Sequence, residues 1–143
     1  SIVTYQNLGI TTYYDDGGNV VKSWQSLSAV AGNALPGAAG PYQSANVYPV
    51  RGPYKMNDRA YGPNDILKTD DPRGRWIHGG GSRLRNPLSP RQGWTPAVGC
   101  TRMQNEDIQE LVDMVREAKA RNPSKPISYQ RMNYERPVII PFF

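Results

Sequence analysis

One segment of this chain reads as a long helix, and its isolation sets the fold class. Ile108, Leu111, Val112, Val115 and Ala118 recur at helical spacing and form a single apolar face. Asn105 stands where an N-cap belongs, Glu106 and Asp107 suit the positive helix start, and Arg116, Lys119 and Arg121 suit its end. Asn122-Pro123 stops it. Elsewhere glycine (14) and proline (13) interrupt the chain too often for a helical bundle, and a hydrophobic content of 38% suits a loop-rich β domain. A length of 143 residues is enough for one domain with one core, and neither an internal repeat nor a domain boundary is visible, so a single domain over 1–143 is expected.

Ile2 to Tyr5 and Leu8 to Tyr14 are rich in β-branched and aromatic residues and predict strands. Asp15-Asp16-Gly17-Gly18 supplies positive φ cheaply, so Asn19 to Ser26 should return as the second arm of a hairpin. Residues 29–46 predict a long loop, 47–56 an extended segment and 57–72 a turn-rich stretch. Arg75 to His78 should be a short buried strand, followed by a loop from Gly79 to Val98. Pro126 to Met132 and Pro137 to Phe142 predict terminal strands, the latter at an edge because of its prolines.

The chain has one histidine, His78, and one cysteine, Cys100. Histidine is the side chain best matched to drawing a proton from a thiol near neutral pH. Gly79, Gly80 and Gly81 follow the histidine and Gly99 precedes the cysteine, which lets backbone approach a substrate closely at both ends. From Arg73 to Asn105 there is no acidic residue but there are six arginines, a setting that should ease formation of a thiolate. Two potential ligands without a carboxylate cluster are too few for a metal site, and no cofactor is expected. A single cysteine excludes an internal disulfide. No apolar run is long enough to span a bilayer, and no signal peptide is visible at Ser1, which suits a mature form, an excised domain or another route of export. The net charge of +5 is compatible with an anionic wall polymer, nucleic acid or mere solubility.

Ile77-His78-Gly79, then a loop, then Gly99-Cys100-Thr101-Arg102-Met103, then Asn105-Glu106-Asp107-Ile108 and Leu111, resembles the L,D-transpeptidase catalytic domain, the YkuD-like family. Tyr48-Pro49-Val50-Arg51-Gly52-Pro53-Tyr54 resembles that family's upstream Pro/Gly strand, so the likeness covers roughly residues 47–112. It departs from the family at Ala97, where Ser or Thr is usual, and at Val98, where some members carry His. The cysteine follows the histidine by 22 positions (100 − 78), a somewhat long loop. Papain-like and NlpC-like hydrolases place Cys before His, and sortases separate the two by much more.

The resemblance implies a mostly β domain with one main helix, built as a sandwich of two mixed sheets. It implies a cysteine acyltransferase acting on peptidoglycan stem peptides, by L,D-transpeptidation, D-amino-acid exchange or L,D-carboxypeptidase trimming. Cys100 would be the nucleophile and His78 its base. The backbone at Gly99, Thr101 and Gly79 would hold the oxyanion, and Arg102 would hold a substrate carboxylate. A carbonyl near Gly79 to Gly81 is the expected partner that orients His78, no acid being adjacent. The implied location is the periplasm or cell wall. A compact domain of this kind also resembles the secreted-effector branch, injected into a rival's periplasm and partnered by an immunity protein. Two other functions stand beside the enzyme. A non-catalytic wall-binding module draws only on Ala97; a basic nucleic-acid binder draws on the arginine-rich loop, which lacks a recognisable binding motif, so no nucleic acid is expected.

Overall fold

In the computed structural model, which describes residues 1–28 and 38–135, nine strands and one long helix enclose a single core. The predicted N-terminal hairpin is present and extends to three strands, β1 (Ile2–Tyr5), β2 (Ile10–Tyr14) and β3 (Val20–Leu27), all antiparallel neighbours. Its turn forms because the Asp15 carboxylate accepts the N–H groups of Gly17 and Asn19, both at 2.9 Å, while Gly18 takes φ +79°. The other strands are β4 (Tyr42–Ser44), β5 (Val47–Val50), β6 (Ile66–Thr69), β7 (Ile77–His78), β8 (Thr101–Met103) and β9 (Tyr129–Met132). A one-turn helix, α1 (Asp58–Tyr61), precedes β6, and α2 (Asn105–Arg121) follows β8.

The strands hydrogen-bond in the order β4-β9-β1-β2-β3-β8-β7-β6-β5. This is one continuous mixed sheet rather than the two separate sheets of the expected sandwich. The joint is β3: its residues Val20 to Gln25 pair with β2, and Ser26 and Leu27 pair with Met103 and Arg102 of β8. Two pairs are parallel, β1 with β9 and β7 with β8. The strands at 42–44 and 66–69 lie in stretches expected to be loop and turns, because each is too short to show an alternating pattern. The strand expected over Pro137 to Phe142 lies outside the described residues.

α2 buries the face read from its spacing: Ile108, Leu111, Val112 and Val115 are all buried against the sheet, with Ala118 partly covered. Its start differs from expectation. Gln104 occupies the cap position without a side-chain cap bond, and Asn105 is the first helical residue, its side chain engaged elsewhere. Among the described residues, no helix is long and apolar enough to cross a membrane.

Hydroxyls tie the sheet together from inside. The Thr4 and Thr11 hydroxyls meet at 2.6 Å, Thr11 donates to Ser26 at 2.9 Å, Tyr129 donates to Thr4 at 2.7 Å, and Thr101 and Tyr129 meet at 2.9 Å. This chain crosses β8, β9, β1, β2 and β3, and it links β8 to β9 although the two are not neighbours in the sheet. The sheet therefore curls toward a barrel. Leu111→Ala should lower unfolding free energy by about 2–5 kcal/mol, the range for a fully buried leucine. Urea unfolding measures this, and a loss below about 1 kcal/mol would mean the helix is not seated as described.

Candidate active site

His78 and Cys100 are brought together by the parallel pairing of β7 and β8. Ile77 lies opposite Thr101 and His78 opposite Arg102. One position before the paired strand, the Cys100 sulfur accepts the Trp76 N–H at 3.3 Å, and its thiol donates to Gly74 O at 3.7 Å. Both His78 and Cys100 line a cleft of about 370 Å³, together with Tyr61, Arg83, Arg102 and the segment from Thr95 to Val98. Ala97 and Val98, the two positions that depart from the family pattern, form part of that wall.

The imidazole is held from two sides. Its Nδ1 lies 2.7 Å from Gly79 O, the kind of backbone partner expected for it, and with Nδ1 donating there Nε2 is the ring's free acceptor. The Tyr61 ring meets it edge-on at a centroid distance of 5.0 Å. Gly79 itself is positioned by α2: a Cβ there would sit 2.2 Å from the Asn105 side-chain oxygen, which accepts the Gly80 N–H at 2.8 Å. The Asn105 amide donates to Pro87 O and Ser89 O, at 2.8 and 2.7 Å. Gly79 and Gly80 thus answer to internal packing, where the sequence suggested close approach of a substrate.

Two residues that sequence reasoning passed over brace the cysteine. Both lie on β9, two apart and therefore on one face. Tyr129 binds the Thr101 hydroxyl, and Arg131, fully buried, donates to the carbonyl of Gly99 and to Ala38 O. Its guanidinium lies over the Tyr42 ring, 5.1 Å from the centroid. The i, i+2 spacing of Tyr129 and Arg131 in a strand was the only available signal, and it is too common to single them out.

Arg102 lines the cleft, but its donors are largely committed. Nη1 binds Thr95 O at 2.5 Å and Pro96 O at 3.2 Å, and Nη2 binds Ala60 O at 3.4 Å. The residue ties the cleft's two walls together. Thr101, whose N–H was assigned to an oxyanion, spends it on Trp76 O at 2.9 Å as part of the β7–β8 ladder. Trp76 packs edge-on against Tyr54 with Lys68 above it, and Trp94 does not line the cleft.

The electrostatics run against an easily formed thiolate. Burial pushes the Cys100 thiol up; the Trp76 N–H and the charges of Arg102 and Arg131 pull it back only in part. Burial, and after it Arg102, pushes the His78 imidazolium down to about 4, against the pull of Gly79 O. At neutral pH the site rests as a neutral thiol beside a neutral imidazole, so the positive sequence environment is outweighed by desolvation.

A family model described as the L,D-transpeptidase catalytic domain, YkuD, matches residues 5–140. The chain belongs to that family, and the domain is accordingly L,D-transpeptidase-like. Among solved structures it is similar to the helical cell shape determining protein Pgp2 of Campylobacter jejuni. That likeness has a TM-score of 0.58 and 17% identity, over 94% of this chain and 47% of that one. It is also similar to Bd1075 of Bdellovibrio bacteriovorus, with a TM-score of 0.53 and 15% identity over 78% and 42% of the two chains. At these identities the likeness shows the fold, and the chain spans less than half the length of either protein. No curated protein matches it.

Two measurements follow from the site's electrostatics. Alkylation of Cys100 by iodoacetamide should still be accelerating at pH 9; a plateau below pH 8 would show a thiolate already formed at neutral pH. A depressed histidine pKa favours the folded state above the unfolded value, here 6.5, and loses that advantage as pH falls toward 4. Stability should therefore decline across that window by an amount on the order of 3 kcal/mol, and the part due to this group should be absent in His78→Gln. Equal pH slopes in the two proteins would show that His78 titrates normally.

Proposed function

We propose that the domain is a cysteine acyltransferase acting on peptidoglycan stem peptides, with Cys100 as nucleophile and His78 as its base. One observation carries the reading: the only thiol and the only imidazole face the same cleft, the imidazole held at Nδ1 so that Nε2 can accept a proton. Because both groups rest neutral, proton transfer and attack belong to one step. The Cys100 proton passes to His78 Nε2 as Sγ bonds to the carbonyl carbon of the third stem residue. The oxyanion is held by N–H groups at Gly99 and Cys100, Thr101's being engaged in the ladder. Collapse breaks the bond to the terminal D-alanine, whose nitrogen takes the proton from His78, and a thioester remains. An amine from another stem resolves it to a cross-link, a D-amino acid resolves it by exchange, and water resolves it by trimming.

Arg102 stabilises negative charge developing on sulfur and oxygen, and holding the walls of the cleft is its second task. The same charge disfavours an imidazolium, so the proton should leave His78 quickly. The single domain acts in a periplasm or cell wall, its own or, in the effector reading, a rival's, where an immunity protein would be its partner. No feature of the cleft favours the wall-binding or nucleic-acid readings over this one.

The test is mass spectrometry of the protein incubated with a purified stem tetrapeptide, beside product analysis. The parent protein should release D-alanine and carry a thioester on Cys100. Cys100→Ala should lose at least a thousandfold in rate while melting within a few degrees of the parent, and His78→Gln should lose comparably. Unchanged release of D-alanine by Cys100→Ala would overturn the assignment.

A further inference from the structure

The cleft contains a cation that the chemistry above does not use. Arg83 lines it, is exposed, and forms no hydrogen bond or ion pair among the described residues. Among the described residues, no acidic side chain lines the cleft. Arg102, the motif arginine, is buried: its Nη groups rest on carbonyls of its own chain and its unpartnered Nε is shut away from solvent, so a two-point contact through the Nη pair would mean breaking those bonds. Among the described residues lining the cleft, Arg83 is the guanidinium that meets an entering carboxylate with all its donors available.

Arg83 is also held where it can act. It sits in the turn closed by the bond from Leu84 N–H to Gly81 O at 2.9 Å. That turn is clamped from α1: Gly81 N–H donates to Arg59 O at 2.7 Å, and the Arg59 guanidinium donates to Ser82 O at 3.4 Å. Gly81, at φ +146°, has no room for a Cβ, which would lie 2.7 Å from a Leu84 methyl and 2.8 Å from the Thr95 methyl. A fixed turn carries the side chain in the wall of the cleft that Cys100 also lines, so less ordering is required when it binds a ligand.

We propose that Arg83 reads the C-terminal carboxylate of the donor peptide, one residue beyond the bond that Cys100 attacks. The proposal rests on the acyltransferase reading and deepens it. It moves carboxylate recognition from Arg102 to the rim and makes a free C-terminus, rather than a longer or capped peptide, the feature that positions the scissile carbonyl.

Binding is measured by calorimetry in the Cys100→Ala background, with two probes: a stem tetrapeptide ending in D-alanine and the same peptide ending in D-alaninamide. The acid should bind about tenfold to a hundredfold tighter than the amide. Arg83→Gln should abolish that preference by weakening the acid alone, Arg83→Lys should keep part of it, and Arg85→Gln, off the cleft, should leave it intact. Arg83 is exposed, so thermal melts of these variants should match the parent. An acid preference that survives Arg83→Gln overturns the proposal, as does a parent that binds both probes equally or neither. Thioester formation in the protein with Cys100 intact is read separately. Arginine-dependent acid binding without a thioester would sink the acyltransferase reading while leaving carboxylate recognition established.

Discussion

The setting of Cys100 depends on hydrogen bonds from β9 to the residues on either side of it. Tyr129 takes the hydroxyl of Thr101, the residue after Cys100, and Arg131 takes the carbonyl of Gly99, the residue before it. The cysteine is thus fixed on both sides by groups that are themselves fully buried. Buried hydroxyls and guanidinium donors are costly to leave unpaired, so each bond specifies a geometry more strongly than its net energy suggests. The hydroxyl chain through Thr4, Thr11 and Ser26 carries the same constraint across the sheet.

The same burial that makes the frame rigid sets the chemistry. Desolvation raises the thiol and lowers the imidazole, so the pair has no charge to lose before substrate arrives. In the mechanism proposed above, the charge appearing during attack would meet Arg102 and backbone N–H groups in a place where water screens them little. Arg102 acts on sulfur and imidazole with opposite preference, favouring anion on one and neutrality on the other. A thiol held in this way should react slowly with small electrophiles at neutral pH.

Much of this was legible in the sequence, for identifiable reasons. The hairpin turn at Asp15–Gly18, the apolar face of α2 and the short strand ending at His78 each depend on local chemistry: Asx bonding, 3.6-residue spacing and a buried dipeptide before glycines. The family motif located His78, Cys100 and a glycine-supported backbone. What escaped was set by distant contacts. β4 and β6 are too short to carry a period, and the sheet is continuous because β3 changes partners at Ser26, from β2 to β8. Asn105 looked like a helix cap because its neighbours fit that role; the tertiary pull of Gly80, Pro87 and Ser89 takes its side chain instead. The positive field around Cys100 was counted correctly as charge, but charge counts do not report depth.

The order in which β9 joins the molecule has its own consequence. A ribosome delivers His78 and Cys100 well before Tyr129 and Arg131, and the parallel pairing of β9 with β1 closes the largest sequence separation among the described strand pairings. Such long-range pairings form late because loop closure must precede them. A chain that has emerged only as far as α2 therefore holds His78 and Cys100 but not the bonds from β9 to Gly99 and Thr101. A chain halted at α2 would therefore carry its thiol without the burial that suppresses the thiolate, and the pairing of β9 is what completes that protection.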